Sequence, residues 1–166
     1  MDNKQPSRRD FVKQSSLLAG GLIAAPFISS ATNYFSGADS VIKIALVGCG
    51  GRGTGAAMQA MLSKQNVKLV AMADAFRDRL DSCYKQLNSD DISDWSGVKG
   101  NIKDKIDVPE ERKFTGFDAY AKAIALADVV ILTTPPGFRP IHFEEAVKQG
   151  KHIFMEKPVA TDPAGI

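Results

Sequence analysis

Metal chemistry has little to work with in this sequence: of 166 residues, two are cysteine and two are histidine. Cys49 and Cys83 form no zinc-type spacing, and His142 and His152 add no ligand cluster, so no metal is expected. A disulfide between the two cysteines is possible on count alone, and nothing in the sequence argues for it. Charge of one sign is also missing, with 21 Lys and Arg against 19 Asp and Glu. The whole excess of +2 falls in residues 1–31, where Lys4, Arg8, Arg9 and Lys13 face only Asp2 and Asp10. The remainder is neutral and offers no electrostatic footprint for nucleic acid. A long apolar run is absent as well. The stretch "LLAGGLIAAPFI" at 17–28 has about a dozen residues, whereas a membrane-spanning helix needs roughly twenty, so no stable anchor is expected. What is present, 44% hydrophobic and 24% charged residues, suits one soluble domain with an appendage.

The appendage has the layout of a signal peptide: a basic start, an apolar middle and a small-residue exit with Ser29-x-Ala31 as a tolerable cleavage site. A general secretory signal would use the arginines only as charge. The segment Ser7-Arg8-Arg9-Asp10-Phe11-Val12-Lys13 resembles the twin-arginine consensus, and the Gly-rich, moderately apolar middle is similar to leaders of that pathway. That resemblance implies export to the periplasm after folding, with the twin-arginine translocase as a transient partner and often with a cofactor already bound. The expected organisation is a signal peptide over 1–31, a linker over 32–40 and a domain over 41–166.

The domain alternates strand and helix. "VIKIALV" (41–47) is a β-branched apolar run that reads as a buried parallel strand. "GCGGRGTG" follows, then "AAMQAMLSKQ" with helical composition, then a second apolar strand, "VKLVAMA" (67–73), closed by Asp74. Residues 76–88 place Leu80, Cys83, Tyr84 and Leu87 at helical spacing. The polar stretch 89–113, with breakers Gly97, Gly100 and Pro109, is long for a connection and reads as a surface insertion over the cofactor edge, with Trp95 as a packing anchor. The rhythm resumes with a helix over 117–126, a strand over 127–134, a helix over 140–149 and a strand over 152–157. This predicts an α/β fold with a Rossmann-type doubly wound parallel sheet. Right-handed crossovers then gather the loops that follow the strands along one edge.

One of those loops carries chemistry. Gly48, Gly50 and Gly53 form G-x-G-x-x-G between a predicted strand and a predicted helix, the context that a dinucleotide site requires. Gly48 permits the tight turn, Gly50 lets the backbone approach a pyrophosphate, and Gly53 lets helix and strand pack closely. Cys49, Gly51 and Arg52 complete the candidate cofactor loop, whose free N–H groups and helix dipole favour an anion. Asp74, 21 residues past Gly53, ends the second strand where a carboxylate accepts bonds from the ribose hydroxyls. It would repel a 2′-phosphate, so NAD is expected over NADP, although Arg52 and Arg77 lie near enough to accommodate one. The plain alternative is a βαβ unit with a glycine turn and a surface Asp.

"VKIALVGCGGRG" and "AVKQGKHIFMEKP" together resemble the glucose–fructose oxidoreductase and inositol dehydrogenase family (Gfo/Idh/MocA) from about Val41 onward. The resemblance implies that Glu156 and Lys157 line the cofactor and substrate pocket. Lys157 would be catalytic, bonding a reacting hydroxyl and helping its proton move as hydride passes to NAD. Thr134 and Pro135 carry over as cofactor contacts. The loop "TTPPGFRPIH" departs from the family pattern of Thr-Pro-Asn followed by a His three residues on, because Pro136 replaces the Asn and His142 lies six residues beyond. His142 then reads equally well as a polar residue in the first turn of a helix, and Arg139 as a candidate substrate or phosphate contact. Cys49 needs only to be small.

Asp162-Pro163 signals a helix start, and the sequence ends at Ile166. The resemblance implies a second α/β domain that carries most substrate contacts and the oligomer interface and is absent from this chain. The expectation is therefore the cofactor half of a longer exported NAD(P)-dependent oxidoreductase acting on a sugar or polyol, homo-oligomeric as a whole, with the 166-residue chain inactive alone. Two other readings stay open: an NAD-dependent glycosidase using transient redox, and an inactive nucleotide-binding fragment.

Overall fold

A computed structural model describes residues 40–90, 92, 97 and 99–165. Residues 1–39, with the expected twin-arginine leader, lie outside the described residues, as does Trp95. Among the described residues, five strands alternate with four α-helices: β1 (Ile42–Val47), α1 (Gly51–Leu62), β2 (Val67–Asp74), α2 (Arg77–Leu87), β3 (Lys113–Thr115), α3 (Ala119–Ala125), β4 (Val129–Leu132), α4 (Arg139–Lys148) and β5 (His152–Met155). The strands form one sheet in the order β3-β2-β1-β4-β5, and every pairing is parallel. This is the Rossmann-type doubly wound order, with the direction of winding reversing between β1 and β4.

The apolar runs are continuous because both sheet faces are covered. In β1, Ile44 and Leu46 enter one core with Ala56, Ala57 and Met61 of α1 and Leu80, Cys83 and Leu87 of α2. Ala45 and Val47, one residue out of phase, enter the other with Ala119, Ala123 and Ile124 of α3 and Ala146 of α4. Small residues dominate this second face, so its helices sit close to the strands.

Three differences from the sequence reading have physical causes. The segment 89–113 is not simply a surface insertion: Ile92, Ile102 and Val108 are only 3%, 1% and 3% exposed and belong to the core under α1 and α2. It folds through two 3₁₀ turns, Lys103–Lys105 and Glu110–Arg112, and Lys105 Nζ donates to the carbonyls of Ser63 at 2.8 Å and Gln65 at 3.1 Å. Its last residue opens β3, a three-residue edge strand too short and polar to leave a pattern. Second, α1 begins inside the glycine loop, because the Gly50 carbonyl accepts both the N–H and the hydroxyl of Thr54. Third, the helix signal at Asp162-Pro163 yields a 3₁₀ turn, Pro163–Gly165, with Gly165 N–H donating to Asp162 Oδ1 at 3.0 Å.

Candidate functional site

The turn after β1 is built around two glycines that tolerate no side chain. Gly48 has φ +97°, and a Cβ there would lie 2.7 Å from the backbone nitrogen of Thr134. A Cβ on Gly53 would lie 1.9 Å from the Gly48 carbonyl oxygen, so the start of α1 is pressed directly onto the turn. The Thr133 hydroxyl donates to that same carbonyl at 2.7 Å, fastening the end of β4 to the end of β1. Gly50 and Gly51 are different: a Cβ on either would meet nothing within 4 Å. Open space therefore lies before the first turn of α1, whose N–H groups have no acceptor within the helix. Those donors and the positive end of the helix dipole suit an anion.

Asp74 stands at the end of β2, half-buried. Its Oδ2 accepts the Cys49 N–H at 2.6 Å and its Oδ1 the Phe76 N–H at 3.0 Å. A carboxylate held on one edge by two backbone donors keeps further lone pairs for a ligand. A cavity of about 620 Å³ runs along the exits of β1, β2 and β4, with Gly50, Arg52, Asp74, Thr134 and Pro135 in its wall. The size and position are those of a ligand site at the switch point of a doubly wound sheet.

The remaining candidates divide. Gly48, Gly51 and Gly53 line the cavity too, but the Cys49 side chain does not. Its Sγ is buried, 3.6 Å from the Ala73 carbonyl, so only its backbone N–H serves the site, through Asp74. Hydrogen bonding with Cys83 and burial push the Cys49 thiol above its ordinary pKa, and both cysteines are free. Glu156 and Lys157 lie outside the cavity wall. Glu156 is tied to it by an ion pair with Arg52, while Lys157, joined to Pro158 by a cis peptide bond, is exposed. Arg77 is engaged by Asp81 at 2.9 Å and by Glu110. Neither arginine considered for a 2′-phosphate is therefore without a carboxylate partner.

His142 does line the cavity. It is 6% exposed, with Nδ1 3.0 Å from the Thr134 hydroxyl and its ring 4.3 Å from that of Tyr120. Burial pushes its pKa down to about 4, which keeps the imidazole neutral near pH 7. Arg139 lines the cavity as well, and its Nη1 donates to the backbone carbonyls of Glu156, at 2.6 Å, and Pro158. Among the described residues of 89–113, none lines the cavity, in contrast to the expected placement of that segment over the cofactor edge. Sequence reasoning missed Phe76, Arg79, Phe117 and Tyr120 in the wall. Phe76 follows Asp74 by two residues and was within reach of the motif, whereas Phe117 depends on β3.

A parallel sheet in this order, a glycine turn feeding a helix and an acid closing the second strand together define a dinucleotide-binding domain. The chain belongs to the oxidoreductase family with an NAD-binding Rossmann fold, Gfo/Idh/MocA, which it matches over residues 42–166. Among solved structures, scyllo-inositol dehydrogenase from Lactobacillus casei with bound NAD(H) and scyllo-inositol is 27% identical with a TM-score of 0.55, over 76% of this chain and 31% of that one. The WlbA dehydrogenase from Bordetella pertussis in complex with NADH and UDP-GlcNAcA is 23% identical with a TM-score of 0.53, over 76% and 30%. Myo-inositol dehydrogenase from Lactobacillus casei, in complex with NAD(H) and myo-inositol, is 16% identical with a TM-score of 0.56, over 76% and 31%. The last two likenesses show the fold alone. The chain thus spans just under a third of the length of these proteins. No curated protein matches it.

Proposed function

We propose that this chain is the cofactor-binding part of an exported NAD-dependent oxidoreductase that moves hydride between the nicotinamide and a sugar, polyol or derivative. The observation that carries the reading is Asp74, fixed by the Cys49 and Phe76 N–H groups at the rim of the open space before α1. The N–H groups of Gly51, Arg52 and Gly53 hold the diphosphate, and Asp74 accepts the adenosine ribose hydroxyls. Its charge opposes a 2′-phosphate, and Arg52 and Arg77 are already engaged by carboxylates, which supports NAD over NADP.

When bound, the nicotinamide supplies the hydride acceptor. Thr134 and Pro135 wall its side of the cavity, with Thr134 oriented by His142. Lys157, one residue past Glu156 at the exit of β5, bonds the reacting hydroxyl and carries its proton, as the family resemblance implies. The twin-arginine leader supports the same reading, because a dinucleotide made in the cytoplasm travels only inside a folded protein. The inositol-bound neighbour supports the substrate class.

Fluorescence titration of the 166-residue chain with NADH and NADPH tests this. NADH is expected to bind at least tenfold more tightly, and Asp74→Asn to weaken NADH about tenfold while narrowing the gap, the loss of one charge-assisted contact. Equal affinity for the two cofactors, or an unchanged preference in Asp74→Asn, refutes the reading.

A further inference from the structure

Arg139 opens α4 at 5% exposure, yet among the described residues no carboxylate pairs with it. Its Nη1 donates to two backbone carbonyls, Glu156 and Pro158, one on each side of Lys157. Its Nε is buried with no partner. A guanidinium taken out of water without a counter-ion is costly, and such a group persists where its geometry is needed. The segment it grips has little else to hold it. Glu156 N–H donates to the Leu132 carbonyl at 3.1 Å, the last sheet bond of β5. Beyond that, Lys157, Pro158 and Val159 are all exposed, and among the described residues no backbone N–H from 157 to 164 donates to a backbone carbonyl.

The geometry points to Arg139 as the positioning residue of the Glu156–Pro158 turn. By clasping the carbonyls that flank Lys157, it sets where that lysine stands at the exit of β5. Glu156 extends the clasp, because its carboxylate pairs with Arg52 at the start of α1. The turn after β5 is thereby tied to α4 through its backbone and to the glycine loop through a side chain. The residue type follows from the task. One Nη carries two hydrogens on a planar, permanently charged fork and can serve two acceptors at once.

The importance of Lys157 rests on the function proposed above, whereas the clasp does not, and the two are tested separately. Backbone ¹⁵N relaxation of the full 166-residue chain without cofactor reads the clasp. Order parameters near 0.85 are expected at Lys157 and Val159, falling below about 0.6 in Arg139→Met, which keeps the stem and removes the donors. Phe143 to Lys148 of α4 should not change. Arg139→Gln, whose amide reaches one carbonyl, should fall between, and it carries the test if Arg139→Met does not fold. Wild-type order at Lys157 in either folded variant, or a loss spread equally along α4, overturns the clasp. If the order parameters fall as expected but wild type binds no NADH, the clasp stands and the functional reading fails.

Discussion

Glycines of one loop carry opposite duties, and single substitutions separate them. At Gly53 a methyl group would fall 1.9 Å from the Gly48 carbonyl and 2.7 Å from the Thr133 hydroxyl, both parts of the framework joining β1, β4 and α1. Gly53→Ala is expected to cost at least about 3 kcal/mol, because backbone on both sides must move. At Gly50 the methyl group meets nothing, and the backbone there is extended at φ −73°, ψ −178°, which any residue adopts. Gly50→Ala should leave thermal unfolding within about 2 °C of wild type, a surface-like effect. It should nevertheless weaken NADH tenfold or more, since the methyl group occupies the space where the diphosphate would lie. Calorimetry and NADH titration of both variants check the pair. The motif allows this division to be read in sequence, as roles for Gly48, Gly50 and Gly53. It does not reveal that Cys49 turns its thiol inward, because side-chain direction within a turn depends on the strand it leaves.

At the scale of the element, α4 shows where spacing stopped being informative. Its first turn brings Arg139 and His142, three apart, onto the face toward the cavity. A helix over this region is legible from composition, but burial of its charged and polar residues runs against the usual pattern. Burial of His142 has a pH signature. Its folded pKa of about 4 lies below the ordinary 6.5, so the native state resists protonation that the unfolded chain accepts. Stability is unaffected by this group above about pH 6.5, falls as pH drops toward 4, and levels off below that. The loss due to His142 should total roughly 2–3 kcal/mol. Urea unfolding between pH 7 and pH 4 should show that excess in wild type relative to His142→Phe, whose ring keeps the stack on Tyr120. Parallel pH profiles for the two proteins would mean that His142 titrates alike in the folded and unfolded chain.

Across the whole molecule, the parallel sheet, β3 apart, and its two cores follow from β-branched and apolar runs. What the sequence hides is the third layer of the first core. Residues 89–113 are mostly polar, and the buried ones among the described residues, Ile92, Ile102 and Val108, share no helical or strand period, so periodicity has nothing to detect. They are placed by tertiary contacts: Ile106 bridges Leu69 in parallel, and the Asp107 N–H donates to the Leu69 carbonyl at 2.8 Å. The segment thus caps α1 and α2 at the side of the sheet away from the cavity wall, and its contribution should be to stability and not to ligand binding. Ile102→Ala separates the two. A surface insertion would tolerate the change within about 0.5 kcal/mol. A residue 1% exposed in a packed core should instead cost about 2–4 kcal/mol, lowering the unfolding temperature by about 10 °C. NADH affinity, measured well below that temperature, should stay at the wild-type value because neither Ile102 nor any other described residue of 89–113 lines the cavity. A loss of affinity in the folded variant would place this layer in communication with the glycine loop through α1, and a neutral effect on unfolding would return the segment to the surface.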